Sequence, residues 1–309
     1  VNIFYEGHDI TDIVKTNKCI VRDASGDHCD SLELEFENAA GWYSWGPKED
    51  DRIVVTYSGY DSGIMFVNYI LPEDGKYRIL ASSLPCKARK KEYASYYNKT
   101  IEEIMRDCAM KTNMDYKIYG IDGGTVIPYI ERNYEGCGAF LSRLLMLEGA
   151  ALKCINGVFT AIGYEYAQDR FAYQTVNLNA TQRGASYRRT GETYRGITVK
   201  TPYACASAVD ASVPDTHVFP TVNEPALTDV QAGRWARGKL RHVNMASEKV
   251  VLKTTFNQGI SAMLRIDITG NTDANGEWIV ECAEHDFINL NTTTTLRRCI
   301  RSITGGDNA

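Results

Sequence analysis

Hydrophobic and polar residues alternate along most of the first 85 positions. Leu32, Leu34 and Phe36 interleave with Glu33, Glu35 and Glu37, which is the period-2 pattern of a strand with one buried face and one wet face. The same alternation predicts strands over 2–6, 10–14, 19–22, 53–57, 64–70 and 77–81, with turn residues between them. Short strands at this spacing predict an antiparallel β-barrel or sandwich. Between the strands ending at Glu37 and beginning at Ile53 lies an aromatic corner of Trp42, Trp45, Gly46 and Pro47. Two indoles packed under a turn suit the rim of such a barrel. Pro85 closes the unit, and the basic stretch 87–91 reads as a linker.

The period then changes. Thr100-x-x-Glu103 is a capping box, followed by Ile101, Ile104, Met105, Cys108 and Ala109 on one helical face. A strand is expected at 116–119. A second helix is expected over 138–148, with Gly149 as its C-terminal stop. Strands at 151–155 and 158–164 flank Asn156-Gly157, the dipeptide that best tolerates the two positive φ angles of a tight hairpin. These elements predict an α+β domain over 86–169. Residues 170–193 are polar and read as a connector. The region 194–309 returns to β, with strands at 194–201, 249–256, 263–268, 278–283 and 296–300 and one helix behind the capping signal Thr228-x-x-Gln231. The long stretch 209–225 reads as a loop. The fold class expected is mainly β with an α+β middle domain, and with a β-barrel at each end.

Composition changes this picture little. The chain has 309 residues with 44% hydrophobic and 24% charged, as in ordinary globular proteins. No apolar run reaches the ~20 residues that a membrane-spanning helix needs. The alternating N-terminus is not a signal peptide, so production in the cytoplasm is expected. The nine cysteines are odd in number and unpaired in spacing, so they are expected as reduced thiols, without disulfide or zinc. Residues 1–85 hold 7 Lys/Arg against 15 Asp/Glu, a balance of −8 within a total of −5. That excess argues against specific nucleic-acid binding by this segment.

Candidate chemistry is sparse. Cys282, Glu284, His285 and Asp286 cluster in sequence, and Cys282-x-x-His285 has a spacing that zinc can use. Three residues along a strand place the pair on opposite faces, and no second ligand pair is near. His285 beside Asp286 has no identifiable nucleophile. Cys137, between two glycines at a helix start, reads as a small residue admitted by close packing. Glu33, Glu35 and Glu37 read as the outer face of one strand rather than as glycosidase carboxylates. Arg183, Arg188, Arg189 and Arg195 lie among Tyr187 and Tyr194. They read as an intersubunit basic arm, with a single-stranded nucleic-acid site or a solvated linker as alternatives. No catalytic, cofactor or metal residue is assigned.

Several motifs occur in an order that resembles one family. They are Tyr5-Glu6-Gly7-His8-Asp9-Ile10-Thr11, then Leu32-x-Leu34 through Asn38, then Trp42-x-x-Trp45 with Pro47, then Asp51-x-Ile53. Ser82, Ser83, Pro85, Asn98, Thr100, Ile104 and Ala109 follow, and then Phe140, Leu141, Arg143, Leu144, Glu148 and Gly149. Gly276-x-Trp278-x-Val280 through His285 to Leu296 closes the series. Together they resemble the late control gene D proteins, the baseplate hubs of contractile phage tails and tailocins; Asp50-Asp51 departs from the Gly-Asp of many relatives. The resemblance implies a structural protein and not an enzyme. It implies two tube-like antiparallel barrels per chain, so that three chains form a pseudo-sixfold ring joining a sixfold tail tube to a threefold spike. The partners implied are further copies of the chain, the tube and spike proteins, other baseplate proteins and the tape-measure protein, in a virion or tail-like particle. On this reading the acidic face of Glu33, Glu35 and Glu37 is a candidate lining of the lumen. A tail-associated cell-wall hydrolase and a carbohydrate-binding β module using Trp42 and Trp45 are the alternative classes.

Overall fold

The computed structural model describes every residue except 38–45, 74, 179–183, 190, 271–272 and 306–309. The expected corner at Trp42 and Trp45, and Arg183, therefore lie outside the described residues.

The first β unit contains strands Asn2–Tyr5, Thr16–Ala24, Ser31–Glu37, Arg52–Tyr57, Met65–Glu73 and Lys76–Ser82, with the short strands His8–Asp9 and Tyr60–Asp61. Its pairs are antiparallel, and the alternating apolar residues meet in one core that includes Ile3, Leu32, Leu34, Phe36, Ile53, Val55, Val67 and Ile79. Residues 10–14, expected as a strand, instead form a turn in which Val14 donates its N–H to the Ile10 carbonyl at 3.2 Å. Ile10 and Val14 are buried while Ile13 is 61% exposed, so the burial period is four, which fits a helical turn.

In the middle unit, the stretch 87–91 expected as a linker is partly helical. Cys86–Arg89 forms one helical turn (α1) with Ala88 buried. Helix α2, Ile101–Thr112, has both halves of the expected capping box and ends on Asn113 in the left-handed region. Helix α3, Cys137–Leu147, buries Phe140, Leu141, Leu144 and Leu145. A three-stranded sheet sets Val158–Gly163 between Asp115–Tyr119, parallel, and Ala150–Ile155, antiparallel. The hairpin turn has φ 49° at Asn156 and 72° at Gly157, as its sequence predicts. A two-stranded ribbon, Glu92–Thr100 against Val126–Glu135, was not legible beforehand, because Tyr, Ala and Ser occupy both of its faces. Tyr164–Asp169 is a short helix, α4.

The segment expected as a connector carries two strands. Gln174–Asn177 pairs parallel with Arg265–Thr269, and Ala185–Arg189 pairs antiparallel with Glu248–Thr255. Tyr187 anchors the second by meeting the Trp278 ring edge-on at 6.4 Å. Helix α5, Asp229–Ala246, packs with Gly196–Lys200 and Cys205–Asp210 on the apolar core of the middle unit, through Trp235, Ala236 and Leu240. The remaining strands, including Gly276–Asp286 and Asn291–Arg298, enclose a third core around Val250, Ile266, Trp278 and Leu296.

The fold is thus mainly β with an α+β middle. The two β units keep distinct apolar cores, yet one sheet runs through both. Gly276–Asp286 pairs antiparallel with Thr16–Ala24, from Cys282 opposite Ala24 to Asp286 opposite Ile20. Phe287, just past this strand, inserts into the first core. The path along the sheet ends at Ala185–Arg189 on one side and at His8–Asp9 on the other.

Candidate functional site

The residues with titratable side chains are drawn into structural roles. His285 is fully buried, with Nδ1 3.1 Å from Thr292 Oγ1, and its ring lies 4.7 Å from Tyr60 and 5.6 Å from Phe256. Burial lowers its pKa, so the imidazole is held neutral in an aromatic box. Asp286 accepts the backbone N–H groups of Ile288 and Asn289 and closes the turn that follows. Glu284 pairs with Arg22 Nε at 2.7 Å, and burial pushes the Cys282 thiol up to about 12. This sequence cluster therefore joins no nucleophile to a base. Among the described residues, no three His, Cys, Asp or Glu side chains come together as a metal cluster.

Cys137 sits in a polar niche at the start of α3. The fully buried Arg132 donates from Nη1 to its Sγ at 2.7 Å and from Nη2 to Glu92 at 2.7 Å. Hydrogen bonding from Cys108, with help from the guanidinium and against burial, pulls the Cys137 thiol down to about 7.

Glu33, Glu35 and Glu37 share one face, as their alternation requires, but that face is not acidic. Glu33 pairs with Lys18 at 2.8 Å, with Arg22 at 3.7 Å and with Arg78, and it is 5% exposed. Glu35 pairs with Lys76 at 2.8 Å and Glu37 with Lys15 at 2.7 Å. Burial works against the Glu33 carboxylate, yet its hydrogen bonds from Lys18 and Arg78 hold its pKa below the usual value. Lys18, Arg22, Lys76 and Arg78 stand on neighbouring strands and Lys15 just before one, where sequence spacing does not reveal them.

The four candidate arginines also separate. Arg188 and Arg189 are exposed on the end strand of the large sheet. Arg195 instead donates to the carbonyls of Asp210, Ala211 and Val213 and pairs with Asp215 at 3.1 Å, fixing a loop. Pro47 is half-buried and precedes a turn in which Asp51 accepts the Lys48 N–H at 2.6 Å. Asp50 takes the positive φ of 68° that glycine would favour there, and its carboxylate accepts the Cys86 N–H at 2.6 Å. The Asp-for-Gly departure thus keeps the turn and adds a tie to the middle unit.

A buried polar centre lies where the three units meet, and no sequence signal pointed to it. Lys153, on strand Ala150–Ile155, donates from Nζ to Asp23 Oδ1 at 2.8 Å and to both oxygens of Asp30 at 2.9 and 3.0 Å. Asp23 also accepts from Ser261 Oγ at 2.7 Å and from the Ala262 N–H at 2.9 Å, so it reaches the last unit too. Gly26 donates its N–H to the Leu152 carbonyl and accepts from Ser142 Oγ beside this centre. A second tie joins α5 to α3: Glu148 accepts from Arg234 Nε at 2.9 Å and from Trp235 Nε1 at 2.8 Å.

The open face of the two-stranded ribbon carries two cross-strand tyrosine pairs, Tyr93–Tyr134 at 5.5 Å and Tyr97–Tyr129 at 4.8 Å. No helix among the described residues is long and apolar enough to cross a membrane.

No family model and no curated protein sequence matches this chain. Solved structures do. The 43 kDa tail protein of prophage MuSo2 from Shewanella oneidensis aligns with a TM-score of 0.75 at 14% identity, covering 96% of this chain and 98% of that one. The tail protein from Neisseria meningitidis MC58 aligns with a TM-score of 0.73 at 9% identity, covering 96% and 95%. An Escherichia coli component of the type VI secretion system, described as structurally similar to the T4 bacteriophage tail proteins gp27 and gp5, aligns at 0.58 and 11% identity, covering 94% and 74%. Over 96% of its length, this chain has the fold of these phage tail proteins.

Proposed function

We propose that this protein is a structural baseplate hub of a contractile phage tail or tail-like particle. In this reading three copies form a pseudo-sixfold ring that joins the sixfold tail tube to a threefold spike. The observation that carries it is the alignment with a phage tail protein over 96% of this chain and 98% of the other. The internal architecture supports it. Two β units in one chain, joined through a shared sheet, would let three chains offer six surfaces, two per chain. The role is structural and not enzymatic, with further copies of the chain, tube and spike proteins, other baseplate proteins and the tape-measure protein as partners.

The two ends of the large sheet suit head-to-tail contact between copies. One end exposes Arg188 and Arg189, and the other exposes Asp9 and the nearby Asp12. Opposite charge on unpaired strand edges favours this pairing and disfavours like edges meeting. The Glu33–Glu35–Glu37 face is our candidate for the wall of the bore. With Glu33 paired to three cations and Glu35 and Glu37 to one each, it would not present bare negative charge to a passing polymer.

The test is the native mass of the hub subassembly released from particles. Three chains of 34.5 kDa in a tube- and spike-bound complex are expected. Reversing Arg188 and Arg189 to Glu is expected to abolish that assembly without unfolding the exposed strand. A monomeric or sixfold component in the particle would refute the reading.

A further inference from the structure

The Lys153 centre has the groups of a self-forming amide cross-link. We propose that Lys153 Nζ condenses with the Asp30 side chain to form an isopeptide bond, with Asp23 as the proton carrier, which ties the first β unit covalently to the middle unit.

The geometry supplies each requirement. The amine lies 2.9 and 3.0 Å from the two Asp30 oxygens, so a side-chain rotation of Asp30 brings its Cγ under the nitrogen. Asp23 Oδ1, at 2.8 Å, is placed to take a proton from the amine, and Ser261 and Ala262 hold it there. The Ala24 N–H donates to Asp30 Oδ1 at 2.9 Å and would steady the negative oxygen of the addition intermediate. Asp30 is 2% exposed, and Asp23 and Lys153 are each 7% exposed, which keeps bulk water from the site.

The step draws on the chains in which Asp30 is protonated. Burial pushes the Asp30 carboxyl up to about 6, so a minority of chains at neutral pH carry the neutral acid that an amine can attack. Burial also works against the Lys153 ammonium, but Asp23 and Asp30 outweigh it and keep the amine protonated at rest. The reaction therefore starts with transfer of one Lys153 proton to the Asp23 carboxylate. The free amine attacks Cγ of neutral Asp30 to form the C–N bond. Asp23 protonates the departing hydroxyl and takes the second nitrogen proton. The products are an amide N–H, one water and neutral Asp23, with the net charge unchanged and no oxidant consumed. An ammonium–carboxylate pair inside the protein is replaced by a neutral amide, which removes the cost of burying two charges. The bond would close a loop between residues 123 apart in sequence.

The test is the denatured intact mass of the purified full chain, incubated at neutral pH, with peptide mapping. The expected result is the sequence mass less one water, and a branched peptide linking residues 30 and 153. Asp30→Ala and Lys153→Met are expected to retain the full mass. Asp23→Asn, close in shape, is expected to fold and also to retain it. A full-mass wild-type chain after prolonged incubation would overturn the proposal. So would water loss that maps to another site, such as Asp122-Gly123. A cross-link that forms as fast in Asp23→Asn would overturn the role given to Asp23.

Discussion

Helix α5 meets the end of α3 at Gly238, and the effect of filling that contact can be worked out. A Cβ built on Gly238 would lie 2.1 Å from the Leu147 carbonyl oxygen and 2.5 Å from that of Met146. Real side chains need 3.0 Å or more, so Gly238→Ala must push the two helices apart by about 1 Å or distort one of them. In an isolated helix the same change would stabilise by ~1 kcal/mol, because glycine is a poor helix former. Here overpacking costs ~1–3 kcal/mol. The shift also strains the Trp235–Glu148 hydrogen bond at 2.8 Å, and a bond to a charged acceptor contributes ~1.5–3 kcal/mol. After subtracting the propensity gain, a net loss of roughly 1.5–5 kcal/mol is expected if the hydrogen bond is lost. Urea unfolding followed by circular dichroism and tryptophan fluorescence measures it, since Trp235 is fully buried at this contact. An unchanged or raised midpoint would refute the claim that close backbone approach, and not helix propensity, governs this position.

Thr100→Ala removes the side-chain half of the α2 capping box and is expected to cost ~1 kcal/mol, read as faster hydrogen exchange in the first turn of α2. His285 has a folded-state pKa below its ordinary value, so the unfolded chain binds a proton near pH ~6.5 that the folded chain does not. The stability that follows is present above that pH and is lost as pH falls below it, by at most ~1.4 kcal/mol per pH unit; His285→Phe is expected to flatten this fall, and an identical pH slope in the variant would count against the box. Cys137 is expected to titrate by thiolate absorbance at about 7, and Arg132→Met is expected to move that transition to higher pH. A transition unmoved by the substitution would remove Arg132 from the account.

Local order was legible in the sequence because its causes are local. The alternation at 31–37, the capping signals at Thr100 and Thr228 and the Asn156-Gly157 turn each depend on residues within a few positions, and each appears in the structure. The shared face of Glu33, Glu35 and Glu37 was fixed by the same period. Its charge was not, because Lys18, Arg22, Lys76 and Arg78 on neighbouring strands, and Lys15 just before one, arrive through strand pairing. Tertiary structure alone decided that Gln174–Asn177 and Ala185–Arg189 join the large sheet, that α5 belongs to the middle core, and that Gly276–Asp286 bonds to Thr16–Ala24. It alone placed Lys153 between Asp23 and Asp30. Such contacts span more than a hundred residues, and a buried charge finds its partner by where the folded units meet, which no local pattern encodes.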